Sequence, residues 1–139
     1  MSARNAAGWA VGLWAVMMAA PAAGQEAETE AAAPIYELRT YTTVPGRLPA
    51  LHKRFREHTV KLFEKHGMEN VMYWTPADKE ETLIYLLKHD SRDAAEKSWT
   101  AFRNDPDWQK ARMESEQDGK IVDKVERVWL NTTDYSPKK

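Results

Sequence analysis

Residues Ile35 to Arg47 read "IYELRTYTTVPGR", and the fold is decided here. Up to Val44 the run is rich in aromatic and β-branched residues, as a strand requires, and Pro45-Gly46 then breaks it. Beyond the break the period changes. Leu48, Leu51, His52, Phe55, Thr59, Leu62, Phe63 and His66 recur at helical spacing, with Lys53, Arg54, Arg56, Glu57, Lys61, Glu64 and Lys65 between them. A strand followed at once by an amphipathic helix is the first half of a β-α-β unit, and Gly67 supplies the stop after the helix.

The rest of the chain continues the pattern. "MENVMYWT" is a second strand closed by Pro76, and "ADKEE" connects it to "TLIYLLKHD", a third. The connection is short, so the two strands form an antiparallel hairpin. "SRDAAEKSWTAFRND" is a helix with Ser91 as N-cap and Ala95, Trp99 and Phe102 on one stripe. Pro106 interrupts it, and "DPDWQKARMESEQDG" resumes as a helix capped by Asp105. After the Asp118-Gly119 turn, "KIVDKVERVWLNT" is the last strand. The order β-α-β-β-α-β predicts an α+β, ferredoxin-like protomer.

Dividing the strands by their period of two yields two unlike faces. One holds Leu38, Ile84, Leu86, Val122, Val128 and Leu130, joined by Met72 and Trp74, and is expected to lie under the helices. The other holds Glu37, Arg39, Tyr41, Tyr73, Tyr85, His89, Arg127 and Trp129 among the apolar Val71, Leu83, Leu87 and Val125. One protomer has no helices left for this second face. It is therefore expected to meet a second copy, making a homodimer with Glu37, Arg39 and Tyr41 at a pocket or seam.

The N-terminus has a different character. Residues 1–24 have a basic start at Arg4, an apolar run from Trp9 to Ala20 and small residues at Ala20, Ala22, Ala23 and Gly24, the pattern of a secretory signal peptide. The apolar run is about a dozen residues, short of the roughly 20 that span a bilayer. Residues 25–33 read as a disordered acidic, alanine-rich spacer, and residues 34–137 as the folded domain. The expected location is exported, periplasmic or secreted, with no membrane attachment once the signal is cleaved. Without Arg4 the balance is 19 basic to 21 acidic residues, which offers no basic footprint for nucleic acid. There is no cysteine, hence no disulfide framework, thiolate nucleophile or cysteine-ligated metal.

His89, at the end of the third strand, is the candidate general base, because its ordinary pKa lies near neutrality and Asp90 or Glu37 can orient it. A plain turn histidine is the competing reading. Glu37 and Arg39, two apart on one face, can hold a ligand carboxylate and orient the guanidinium, or form an ion pair across to Arg127. Tyr41, Tyr73, Tyr85 and Trp129 complete the ligand-binding candidates, against a role as interface aromatics. His58, between Phe55 and Leu62, reads as a core or boundary histidine, and Trp99, Phe102 and Trp108 as core. No His-x-x-x-His spacing, glycine-rich phosphate loop or serine elbow occurs, so no metal and no cofactor is expected.

"YELRTYTTVPGR", Phe63 to Pro76 as "FEKHGMENVMYWTP", "TLIYLLKHDSRDAAEKSWTAFRNDPDWQKAR" and "VERVWLNTTDYSP" together resemble the NIPSNAP family across the folded region. The YELRTY opening followed by Pro-Gly, and DPDWQ in the second helical half, are the most specific pieces. The resemblance implies a dimeric α/β barrel, a superfamily that includes cofactor-independent and haem-degrading monooxygenases, lactone isomerases and members with no established reaction. The site residues of the haem-degrading relatives have no match here. The mitochondrial and trafficking roles of eukaryotic relatives do not carry over to a chain with an export signal. The functional expectation is a homodimer that binds a small organic molecule, with cofactor-independent oxygenation or isomerisation as its chemistry. The alternative is a non-catalytic interaction module whose second sheet face serves only dimerisation.

Overall fold

A computed structural model describes residues 33–137. The expected signal segment and all but the last residue of the spacer lie outside the described residues. The elements run β1 (Ile35–Thr43), α1 (Leu48–Arg54), a π-helical turn (Phe55–Thr59), α2 (Val60–Lys65), β2 (Glu69–Trp74), β3 (Thr82–His89), α3 (Arg92–Asn104), α4 (Pro106–Ser115) and β4 (Val122–Leu130). The sheet order is β2-β3-β1-β4 with every pairing antiparallel, which is the ferredoxin-like arrangement. No helix among the described residues is long and apolar enough to cross a membrane.

Local chemistry sets the boundaries. The Ser91 hydroxyl accepts the Ala94 N–H at 3.0 Å and starts α3. Asp105 ends α3 and caps α4, accepting the Asp107 N–H at 2.8 Å with Pro106 in the first helical position. Gly67 takes the positive φ of 76° that lets the chain leave α2 and re-enter as β2. Glu81 has a φ of 59°, costly for a side chain with a Cβ. Its carboxylate accepts the N–H groups of Gly46 at 2.7 Å and Leu48 at 3.2 Å together with the Thr43 hydroxyl, so this loop holds the β1–α1 turn.

The helices cover the opposite sheet face from the one the sequence suggests. Leu51, Phe55, Leu62, Phe63, Trp99 and Phe102 pack on Leu83, Tyr85 and Leu87, and Glu37 and His89 are buried with them. The face with Glu37, Arg39, Tyr41 and Tyr85 is therefore the inner one, and these residues lie under helices instead of at a seam between copies. The aliphatic face is open: Met72, Trp74, Val128 and Leu130 are exposed, and Leu38, Ile84 and Leu86 half-buried. Two physical facts reverse the expectation. The tyrosines fill more volume than the aliphatics could, and the inner charges neutralise and hydrogen-bond one another, which removes the usual objection to burying them.

The single expected helix is interrupted by the π-helical turn, where the Val60 N–H reaches back to the Phe55 carbonyl. Thr59 is buried and its hydroxyl donates to the Arg54 carbonyl at 3.3 Å. The wider turn swings His58 out to solvent, so it is not a core or boundary histidine.

Candidate functional site

The inner face has a charged centre. Glu37 is 0% exposed and its carboxylate accepts three hydrogen bonds. Arg39 Nη1 donates to Oε1 at 2.7 Å, while Trp99 Nε1 at 2.7 Å and His89 Nε2 at 2.8 Å meet Oε2. Strand period places Glu37 and Arg39 side by side on β1. The antiparallel register brings His89 beside them from the end of β3, and α3 lowers Trp99 from above. The Arg39 guanidinium lies 4.2 Å from the Trp99 ring centre, a cation–π contact that closes the cluster.

Burial alone would push the Glu37 carboxyl up, but the hydrogen bonds from His89, Trp99 and Arg39, with the Arg39 charge, hold it below its ordinary value. Burial alone would likewise lower Arg39, yet the neighbouring Tyr85 and Tyr41 and the bond to Glu37 raise it. Glu37 is thus ionised and acts only as an acceptor, so His89 must present Nε2–H to it. The other ring nitrogen is Nδ1. It is buried and has no hydrogen-bond partner among the described residues, and the same is true of Trp129 Nε1. The two rings are neighbours, 5.8 Å between centres.

A row of tyrosines extends from the cluster. Tyr41 Oη lies 3.4 Å from Arg39 Nη2, Tyr41 and Tyr85 meet edge to face at 5.3 Å, and Tyr85 stacks on Tyr73 at 5.4 Å. Burial pushes both the Tyr73 and Tyr85 hydroxyls well above their ordinary pKa, so both are neutral, and the buried Tyr85 hydroxyl has no hydrogen-bond partner among the described residues. Glu37, Arg39, Tyr41, Tyr85 and His89 thus come together. Tyr73 is connected to them through Tyr85 and Phe55, and its hydroxyl donates to Asn70. Arg127 does not reach Glu37: it is exposed, with its guanidinium 5.1 Å from the Trp129 ring centre. Asp90 is exposed, and Glu37 is what orients His89. Sequence reasoning places Trp99 in the core, which is correct, but misses that its indole N–H binds Glu37. No local signal joins residues 62 positions apart. Among the described residues no three His, Asp or Glu side chains converge in a way that could hold a metal ion.

Comparison with known proteins agrees with this architecture. The NIPSNAP family model matches residues 36–137. The chain belongs to the NIPSNAP family. A NIPSNAP-like domain protein from Burkholderia xenovorans has a similar structure, with a TM-score of 0.67 at 15% identity over 77% of this chain and 91% of that one. A NIPSNAP family protein from Agrobacterium tumefaciens C58 gives 0.66 at 20% identity, over 76% of this chain and 94% of its own. SnoaB, a cofactor-independent oxygenase from Streptomyces nogalater, gives 0.56 at 13% identity, over 77% and 100%. At such identities the likeness speaks for the shared ferredoxin-like fold of these NIPSNAP and SnoaB chains. Among functionally curated proteins nothing matches the chain.

Proposed function

We propose that this NIPSNAP protein binds a small organic molecule on its inner sheet face and that His89 acts as the base on it. The observation that carries the reading is the buried Nδ1 of His89, which has no hydrogen-bond partner among the described residues while Nε2 lies 2.8 Å from the Glu37 carboxylate. An unmatched buried polar atom costs about 1–3 kcal/mol, and such atoms cluster where a ligand or a proton is handled. Trp129 Nε1 beside it supplies a donor. Nδ1 takes a proton from an activated C–H of the ligand, and the bonding pair stays on the ligand as a carbanion or enolate. Return of the proton at a different carbon completes an isomerisation. With O2 as co-reactant, the anion instead gives its pair to oxygen, forming a C–O bond, and the reprotonated hydroperoxide loses water to leave a carbonyl. The fold shared with SnoaB supports the oxygenase form.

The open aliphatic face supports a homodimer formed by stacking two sheets, now through Leu38, Met72, Val128 and Leu130. The pattern of residues 1–24 supports export. Native mass spectrometry of the protein purified gently from its host tests binding and assembly together. The expected result is a dimer carrying a defined extra mass. A monomer overturns the dimer, and a bare chain that takes up nothing from a small-molecule extract overturns the binding function. Cell fractionation that leaves the protein in the cytoplasm overturns export.

A further inference from the structure

A second site stands at the other end of the inner face. Between the helices and the β2–β3 edge opens a cavity of about 280 Å³ walled by Phe55, Val60, Tyr73 and Leu83, with His52 and Arg56 also lining it. Leu83 and His89 are six residues apart on β3, about 20 Å at strand rise, and the cavity shares no residue with the Glu37 cluster.

Two independent observations separate this cavity from a packing fault. Phe55 and Val60, which form its helical wall, are the two residues joined by the hydrogen bond of the π-helical turn. Such turns are rare and concentrate at functional positions, because the widened backbone changes which side chains share a wall. The second is charge. The walls are apolar, whereas Arg56 is exposed and forms no ion pair among the described residues. Burial and the nearby Arg56 charge push His52 below its ordinary pKa, so at pH 7 it is neutral and still offers one ring N–H.

We infer that this cavity binds a small aromatic carboxylate, its ring against Phe55, Val60, Tyr73 and Leu83 and its carboxylate on Arg56 and His52. The volume lies just below the range typical of drug-sized ligands, which limits the body to one or two fused rings. An arginine and an imidazole N–H match the two oxygens of a carboxylate and would repel an ammonium. The inference does not depend on His89 chemistry.

Isothermal titration of the full folded chain at pH 7 with 2-naphthoate, and with neutral 2-naphthol as the uncharged control, tests it. Saturable binding of 2-naphthoate is expected. Arg56→Met should weaken it about tenfold or more, the size of a charged hydrogen bond, and leave 2-naphthol within about twofold on the same basis. Val60→Trp fills the cavity and should abolish both, with thermal unfolding confirming that the variant folds. Because Arg56 is exposed, its variant keeps the test valid if Val60→Trp does not fold. Failure of 2-naphthoate to saturate at millimolar concentration overturns the inference. So does an Arg56→Met affinity unchanged within twofold, or binding that survives in folded Val60→Trp. None of these variants touches Glu37 or His89, so their outcome leaves the base reading to its own test.

Discussion

At the scale of single residues, Glu37 sets the chemistry of everything around it. Removing one member of a buried charged pair strands the other, at a cost of about 3 kcal/mol or more. Glu37→Gln is expected to lose that much in urea unfolding, because Arg39 keeps its charge with no counterion. The folded carboxyl lies below its ordinary value, so its stabilising contribution is complete above the unfolded pKa of roughly 4.3. It then drains away as pH falls toward the lower folded pKa. Glu37→Gln should show a flatter stability profile across that acid window, and an unchanged slope would mean that Glu37 is not the group responsible. His89 offers a sharper readout. Long-range proton–nitrogen spectra at pH 7 should show Nε2 protonated and Nδ1 bare, and a dominant Nδ1–H form would sink its assignment as base. The identities of Glu37, Arg39 and His89 were legible as candidates because charged residues on a strand among apolar neighbours stand out. Trp99 was not, because an indole on an apolar helical stripe looks the same whether or not its N–H is used.

At the scale of elements, local signals carried and tertiary ones did not. Ser91 acts within three residues of itself and was readable. Ser91→Ala should cost about 1 kcal/mol, the usual value of an N-cap, seen as a lower urea midpoint with unchanged slope. The π-helical turn was hidden, since Thr59 and Val60 at that spacing suit an ordinary helix equally well. Its first residue, Phe55, packs against Tyr41, Tyr73 and Tyr85 at once, contacts that no local pattern in the sequence displays. The face of the sheet under the helices was also hidden. Period two divides a strand into two sets but does not say which set is inside, and a hydrophobicity count misleads when the inner charges satisfy one another.

At the scale of the whole molecule, the order of elements was enough to give the ferredoxin-like topology, because β-α-β-β-α-β with short connections leaves few unknotted antiparallel solutions. What the order leaves over is one open apolar face. Met72, Trp74, Val128 and Leu130 on a single side form a patch of the kind that marks an interface. Val128→Lys, at an exposed position, should convert the proposed dimer to a folded monomer in sedimentation equilibrium with unchanged circular dichroism. A dimer that tolerates this lysine must use some other surface. The change places no charge on the inner face, so it separates assembly from ligand binding.

The Glu81 clasp has a kinetic meaning. Its three partners lie 33 to 38 residues away in the chain, and they gather only once β1 has found β3 and α1 has begun. A contact that needs so much finished structure belongs to the native side of the folding barrier. Breaking it with Glu81→Ala should steepen escape from the native state and leave arrival almost untouched. In a stopped-flow chevron the unfolding limb should rise while the refolding limb stays in place. The lifetime of the folded domain would then rest in part on one carboxylate in a surface loop.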